Sequence, residues 1–135
     1  EAEGEIRLDS VARVERGRSE AATLAAEKVL EKSGIDRSKM GILLSTSVCK
    51  DYIEPSVASL VHGNLGLSDL CINYDIGNAC LGFVNAMASM GLMIEAGAID
   101  YGMIVDGENS REVVEATIER LKAIISEFDR LAGER

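Results

Sequence analysis

Tryptophan is absent from this sequence, proline and histidine occur once each, and aromatic residues make up only 4% of it. A β-sandwich built around large rings is therefore excluded. What remains is an Ala-, Gly- and Met-rich aliphatic interior, of the kind formed by helices packed closely on a sheet. The three cysteines, Cys49, Cys71 and Cys80, cannot all pair, and none has a metal-ligand spacing such as C-x-x-C. No metal site is predicted. With no secretory signal in view, a reduced, cytoplasmic setting is the expectation. A Gly-rich phosphate loop is missing too, because "GNLG" is no G-x-G-x-x-G after a strand. Positive charge is scarce, with 14 Lys and Arg against 23 Asp and Glu and a net charge of −9. That balance repels phosphate backbones and anionic lipid surfaces, so neither nucleic acid nor a membrane is an expected partner. The most apolar run, 79–94, is interrupted by Asn85, Ser89 and two glycines, and Glu95 ends it. It is shorter than the roughly 20 residues that span a bilayer. It reads as a buried core helix.

The 135 residues suffice for one domain that buries about two thirds of its unfolded surface. Residues 1–18 are charged and weakly patterned, and no internal repeat is visible. From Ser19 onward the punctuation is regular. Ser19 is placed to cap a helix with Ala22, Ala25, Ala26, Val29 and Leu30 on one face, and Gly34 suits its exit. "GILLSTS" (41–47) predicts a strand buried on both faces. A polar loop, 48–55, leads to a helix capped by Ser56 and closed by Gly66. A strand follows at about 71–75, then a tight turn, then the long apolar helix to about Ala96. "YGMIVDG" (101–107) predicts a third strand. Ser110 is placed to cap a last helix, with Val114, Thr117, Leu121, Ile124, Phe128 and Leu131 at heptad-like spacing and Gly133 as its end. That stripe is expected to pack into the core or against another subunit. Strand and helix alternate throughout, which predicts an α/β fold with a mainly parallel central sheet flanked by helices.

"YDIGNACLGFVNAM" (74–87) is the segment that carries chemistry. A strand ends near Asp75, a turn of small residues follows, and Cys80 stands where a helix begins. Gly77, Ala79 and Gly82 are expected to leave room for a substrate. A thiol at a helix N-terminus meets the positive end of the dipole and unpaired N–H groups, which favour the nucleophilic thiolate. The same N–H groups can stabilise an oxyanion when a thioester carbonyl is attacked. On spacing alone, a packed cysteine acting as a small hydrophobe is the commoner outcome. His62, the only histidine, is a tempting partner for Cys80. Cys49 and Cys71 are expected in the core.

The run Asp75, Asn78, Ala79, Cys80, Gly82, Phe83 resembles the active-site segment of ketoacyl-ACP synthase III and its relatives in the thiolase superfamily. The flanking segments agree in order: "ATLAAEKVLEKSGID", "ILLSTSV", "EPSVASLVHGNLG" and "AGAIDYGMIVDGE". The resemblance covers about 19–121. "TSVCKDYIEPS" followed by "NACLGF" is most similar to the condensing enzyme of long-chain olefin biosynthesis, which joins two fatty acyl-CoA molecules head to head. In that family a glutamate on this loop reaches across a dimer and acts as a base in the neighbouring site. Glu54, 26 residues before Cys80, falls on its position. A solvated loop carboxylate at a helix start is the plainer alternative.

The resemblance implies a thiolase-like fold, N-terminal half, with residues 19–135 as one half-domain and a buried nucleophile helix. It implies that Cys80 is the acyl-accepting nucleophile and Glu54 the base of a Claisen condensation. No metal or tightly bound cofactor is implied, acyl-CoA or an acyl carrier protein being substrate. It places His62 on the surface or the dimer side, since the family's catalytic His and Asn lie in the second half of the fold. No counterpart of those two residues is found here, the family's first strand is hard to find, and helix continues after Leu121. The expectation is therefore a fragment, or a subunit completed by a complementary half, in a homo- or hetero-oligomer. A synthase III-type enzyme and a non-catalytic scaffolding subunit are the alternatives. One face of the apolar helix (Phe83, Met87, Met90, Ile94) is expected to stand uncovered without that half.

Overall fold

The computed structural model describes residues 17–133; 1–16, nearly all of the weakly patterned segment 1–18, lie outside the described residues. The elements run α1 (Arg18–Ser33), β1 (Met40–Ser45), α2 (Val57–Leu65), β2 (Ile72–Asp75), α3 (Gly82–Glu95), β3 (Tyr101–Val105) and α4 (Arg111–Gly133), with 3₁₀ turns at Arg37–Lys39 and Ala79–Leu81. The three strands form a parallel sheet in the order β2-β1-β3. Parallel neighbours need crossover connections. Here α2 makes the crossover from β1 to β2, and α3 the one from β2 to β3. α1 and α2 cover one face of the sheet, α3 the other. The predicted α/β fold is present.

β1 lies in the middle, and Ile42, Leu43, Leu44 and Ser45 are fully buried. Leu43 belongs to the cluster of α1 and α2, with Ala22, Ala26, Leu30, Val57, Val61 and Leu65. Ile42 and Leu44 face Ala86 of α3. Strict alternation would put Met40 with Ile42, yet Met40 packs with the Leu43 cluster. The pairing of β1 with β3 shifts register between Met40 and Ile42, and that extra residue reverses the facing.

Helix ends follow local chemistry in part. Ser56 Oγ accepts the Ser59 N–H at 3.1 Å, as a cap of α2 should. Gly34 and Gly66 close α1 and α2 in the left-handed conformation. Arg37 Nη1 also donates to the Leu65 carbonyl at 2.7 Å. The expected Ser19 cap is wrong. Gly17 occupies the cap position, and Asp51 accepts from Arg18 N at 2.9 Å, Ser19 N at 2.7 Å and Ser19 Oγ at 2.6 Å. Burial works against the Asp51 carboxylate, but these hydrogen bonds and the Arg18 charge outweigh it and hold its pKa below the usual range.

Three further expectations are corrected. α3 is not buried all round: Gly82 and Ala86 face inward, with Met90 and Met93 packed behind them. Leu81, Val84 and Leu92 stand 59%, 59% and 67% exposed on the opposite side, so Met90 is not on the open face. Apart from Asn85, Ser89 and the terminal Glu95 the helix is apolar, so periodicity could not choose its inward side. On α4, Val114, Leu121, Ile124, Phe128 and Leu131 are all at least 50% exposed, so the stripe packs into no core here. Gly133 lies within α4 rather than after it. Among the described residues, no helix is long and apolar enough to cross a membrane.

Candidate active site

Ligand sites of parallel α/β sheets form at the carboxyl ends of the strands. At that edge the chain ends are stitched together. Ile76 N donates to Ser45 O at 2.8 Å and Thr46 N to Val105 O at 3.0 Å. Gly107 N donates to the buried Ser47 Oγ at 2.9 Å. A Cβ on Gly107 would strike the Arg18 carbonyl, so only glycine lets the exit of β3 pass the start of α1. The polar "STS" that closes the first strand thus serves the junction of three connections.

Cys80 is exposed, in the middle of the 3₁₀ turn between β2 and α3. α3 itself begins two residues later, at Gly82, so the thiol precedes the helix and is not buried with it. Ala79, directly before it, has φ of +43°, the only positive value at a non-glycine among the described residues. Such strained positions cost on the order of 1–3 kcal/mol and gather at functional sites. Leu81 N donates to Asn78 O at 2.9 Å, and Asn78 Nδ2 to Asn85 Oδ1 at 2.7 Å, which ties the turn to α3. Gly77 faces open space, as expected of a residue that leaves room. Gly82 does not. A Cβ there would come within 3.1 Å of Ile76 O, so glycine at 82 lets α3 enter close to the sheet.

Glu54 sits on the arch between β1 and α2, exposed beside Tyr52 and Ile53, which are 61% and 92% exposed. The Glu54–Pro55 peptide is cis. No hydrogen bond or ion pair links Glu54 with Cys80 or with any other described residue. The base of the arch, by contrast, is held from several elements. Glu108, after β3, accepts from Val48 N and Cys49 N. Asp51 holds the start of α1. Asp75, the last residue of β2, accepts from Val57 N at 3.2 Å and Ala58 N at 2.9 Å, and pairs with Lys50 Nζ at 2.7 Å. Asp51, Asp75, Lys50 and Glu108 were not predicted as site-building residues. Their partners lie 17 to 60 positions away, and a lone acid at a strand end carries no signal of that.

His62 is half-buried, with Nε2 3.1 Å from Ser68 O. It ties α2 to the turn before β2, so it is more than a surface residue, and no contact joins it to Cys80. Cys71 is buried as expected, whereas Cys49 is only half-buried and is no core thiol. Among the described residues, no group of His, Cys, Asp and Glu is arranged to hold a metal.

Over 103 residues the chain is 52% identical to the acyl-CoA:acyl-CoA alkyltransferase of Xanthomonas campestris, a match spanning 76% of this chain and 30% of that protein. The crystal structure of cerulenin-bound Xanthomonas campestris OleA matches with a TM-score of 0.74 and 50% identity, over 78% of this chain and 32% of the other. The chain has a thiolase-like fold. β-Ketoacyl-acyl-carrier-protein synthase III 1 of Lactiplantibacillus plantarum is 30% identical over 97 residues, 72% of this thiolase-like chain and 30% of the synthase. No protein-family model matches. The chain spans about 30% of the length of the curated relatives it matches. The predicted resemblance to both groups is borne out, with the alkyltransferase the more similar.

The three thiols of the thiolase-like chain differ enough for a chemical test. Burial pushes the Cys71 thiol up, and burial together with the Glu108 carboxylate pushes Cys49 up. A raised thiol is less ionised at any given pH, and the thiolate is the nucleophile. With substoichiometric iodoacetamide near neutral pH, peptide mapping should find Cys80 labelled first. Its lead should narrow as the pH rises and the other two ionise. Earlier labelling of Cys49 or Cys71 would count against Cys80.

Proposed function

We propose that this chain carries the nucleophile and the base of an acyltransferase that condenses two acyl thioesters, fatty acyl-CoA in the first instance, to a β-keto product. The observation that carries the reading is Cys80: exposed, following a strained residue, at the carboxyl end of a parallel sheet, in a chain 52% identical over 103 residues to an acyl-CoA:acyl-CoA alkyltransferase. In the first step the Cys80 thiolate attacks the thioester carbonyl of one acyl-CoA. The C–S bond to CoA breaks, CoA leaves as a thiolate that takes up a proton, and the acyl group stays on Cys80. In the second step Glu54 takes a proton from the α-carbon of the second acyl-CoA. The resulting carbanion attacks the acyl-Cys80 carbonyl and expels the cysteine thiolate. Splitting the reaction holds one reactant in place and turns an encounter into a positioned step.

Neither step calls for a metal or a tightly bound cofactor. The groups that stabilise the carbanion and the oxyanion are assigned to a complementary thiolase half, on this or another chain. Glu54 is assigned to the neighbouring site across a dimer, which suits an exposed side chain with no hydrogen-bond or ion-pair partner among the described residues. Three free thiols agree with a cytoplasmic setting.

Incubating the assembled protein with a fatty acyl-CoA, quenching in acid and mapping peptides tests the reading. The acyl group is expected on Cys80, and Cys80→Ala should abolish it. Acylation of another cysteine would overturn the assignment. No acylation at all would favour the non-catalytic subunit.

A further inference from the structure

We infer that Asp75 and Lys50 form a positioning pair that holds Glu54 in its working place, an assignment that rests on the reading of Glu54 as the base. Asp75 grips the chain on both sides of Glu54. Its carboxylate pairs with Lys50, four residues before the glutamate, and accepts from the N–H groups of Val57 and Ala58, three and four residues after it. Oδ2 is shared between Lys50 Nζ and Val57 N, while Oδ1 serves Ala58 N. The Asp75 side chain is only 7% exposed, so these contacts hold it away from water.

A cap on α2 needs only the two N–H groups. The pairing with Lys50 adds something a cap does not require: it draws the near leg of the arch onto the same carboxylate as the far leg. Glu108 and Asp51 restrain the residues around Lys50 from other directions. Among the described residues, no hydrogen bond or ion pair tethers 52–55, a short tip that presents Glu54. Asp75 also stands at the end of the strand that runs, five residues on, into Cys80. One buried carboxylate thus ties the loop of the base to the strand of the nucleophile. A base must reach its proton within hydrogen-bond distance, and a misplacement of about 1 Å can cost about 100-fold.

The test compares Lys50→Met, Lys50→Arg and Asp75→Asn with Glu54→Ala in the assembled protein, measuring acylation of Cys80 and condensation separately. Lys50→Met and Asp75→Asn should slow condensation about 10–100-fold, and far more than they slow acylation. Lys50→Arg should recover most of the loss. Lys50→Met added to Glu54→Ala should cost little more, because the pair acts through Glu54. Equal slowing of both steps, or a full extra loss in the double variant, would mean that the pair merely supports the fold. If Glu54→Ala slows condensation and the pair variants do not, the positioning role falls while the base survives. If Glu54→Ala itself condenses normally, the base falls, and the pair's role with it.

Discussion

Glu54→Ala is expected to slow condensation about 10²–10⁴-fold, the usual contribution of a positioned general base, while Cys80 is still acylated by the first acyl-CoA. The step-specific effect follows from chemistry. A base that deprotonates the second substrate takes no part in the thiolate attack on the first. The structure makes the experiment clean, because Glu54 is exposed and makes no hydrogen bond or ion pair with another described residue. Removing its carboxylate leaves no buried partner unpaired, so loss of the fold cannot stand in for loss of the base. Single-turnover acylation followed by product formation from a second acyl-CoA separates the steps. If both run at native rates, Glu54 is a solvated loop carboxylate, and a synthase III-type reaction gains.

The second large effect concerns the chain by itself. Expressed alone, it should self-associate rather than persist as a monomer with a sharp melt. The outward face of α3 exposes Leu81, Val84 and Leu92, and α4 exposes Val113, Val114, Ile118, Leu121, Ile124, Ile125, Phe128 and Leu131. Contiguous apolar faces of this kind mark interaction surfaces on soluble proteins. Covering one large apolar side chain is worth roughly 1.5–3 kcal/mol. Several together therefore rival the whole stability of a domain, about 5–15 kcal/mol. Size-exclusion chromatography with light scattering gives the answer directly. A soluble monomer with a cooperative unfolding transition would show that these faces need no cover, and would remove the case for a complementary half.

Much of the architecture was legible because the signals are local. The continuous apolar run of β1 announced burial on both faces, and Ile42, Leu43 and Leu44 have it. Ser56, Gly34 and Gly66 act on neighbours within four residues, and each does what its chemistry predicts. The turn that places Cys80 between β2 and α3 was legible from its small residues, whereas the nucleophile role expected of the thiol came from the family resemblance. Glu54 is a candidate through family resemblance alone, since an acid before a proline says little by itself.

The features that local sequence does not encode are long-range or rotational. Ser19 looked like a cap, but Asp51, 32 positions away, reaches the helix start instead. Gly82 looked like space for a substrate, yet its missing Cβ is what brings α3 onto Ile76 and Thr46. An apolar helix can turn any side inward, so only packing against Ile42 and Leu44 chose Gly82, Ala86 and Met90 over Leu81, Val84 and Leu92.

Composition, turn residues and periodicity by themselves determined an α/β chain with a parallel sheet and a cysteine at a strand-to-helix turn. Those properties depend on each residue and its near neighbours, so they can be read along one dimension. The tertiary structure alone decided that Asp75 would hold Lys50 and α2 at once, and that the arch carrying Glu54 would be tied to the strand leading to Cys80. A carboxylate gains partners by proximity in space, and the sheet's crossovers bring those groups together from positions 50, 57, 58 and 75.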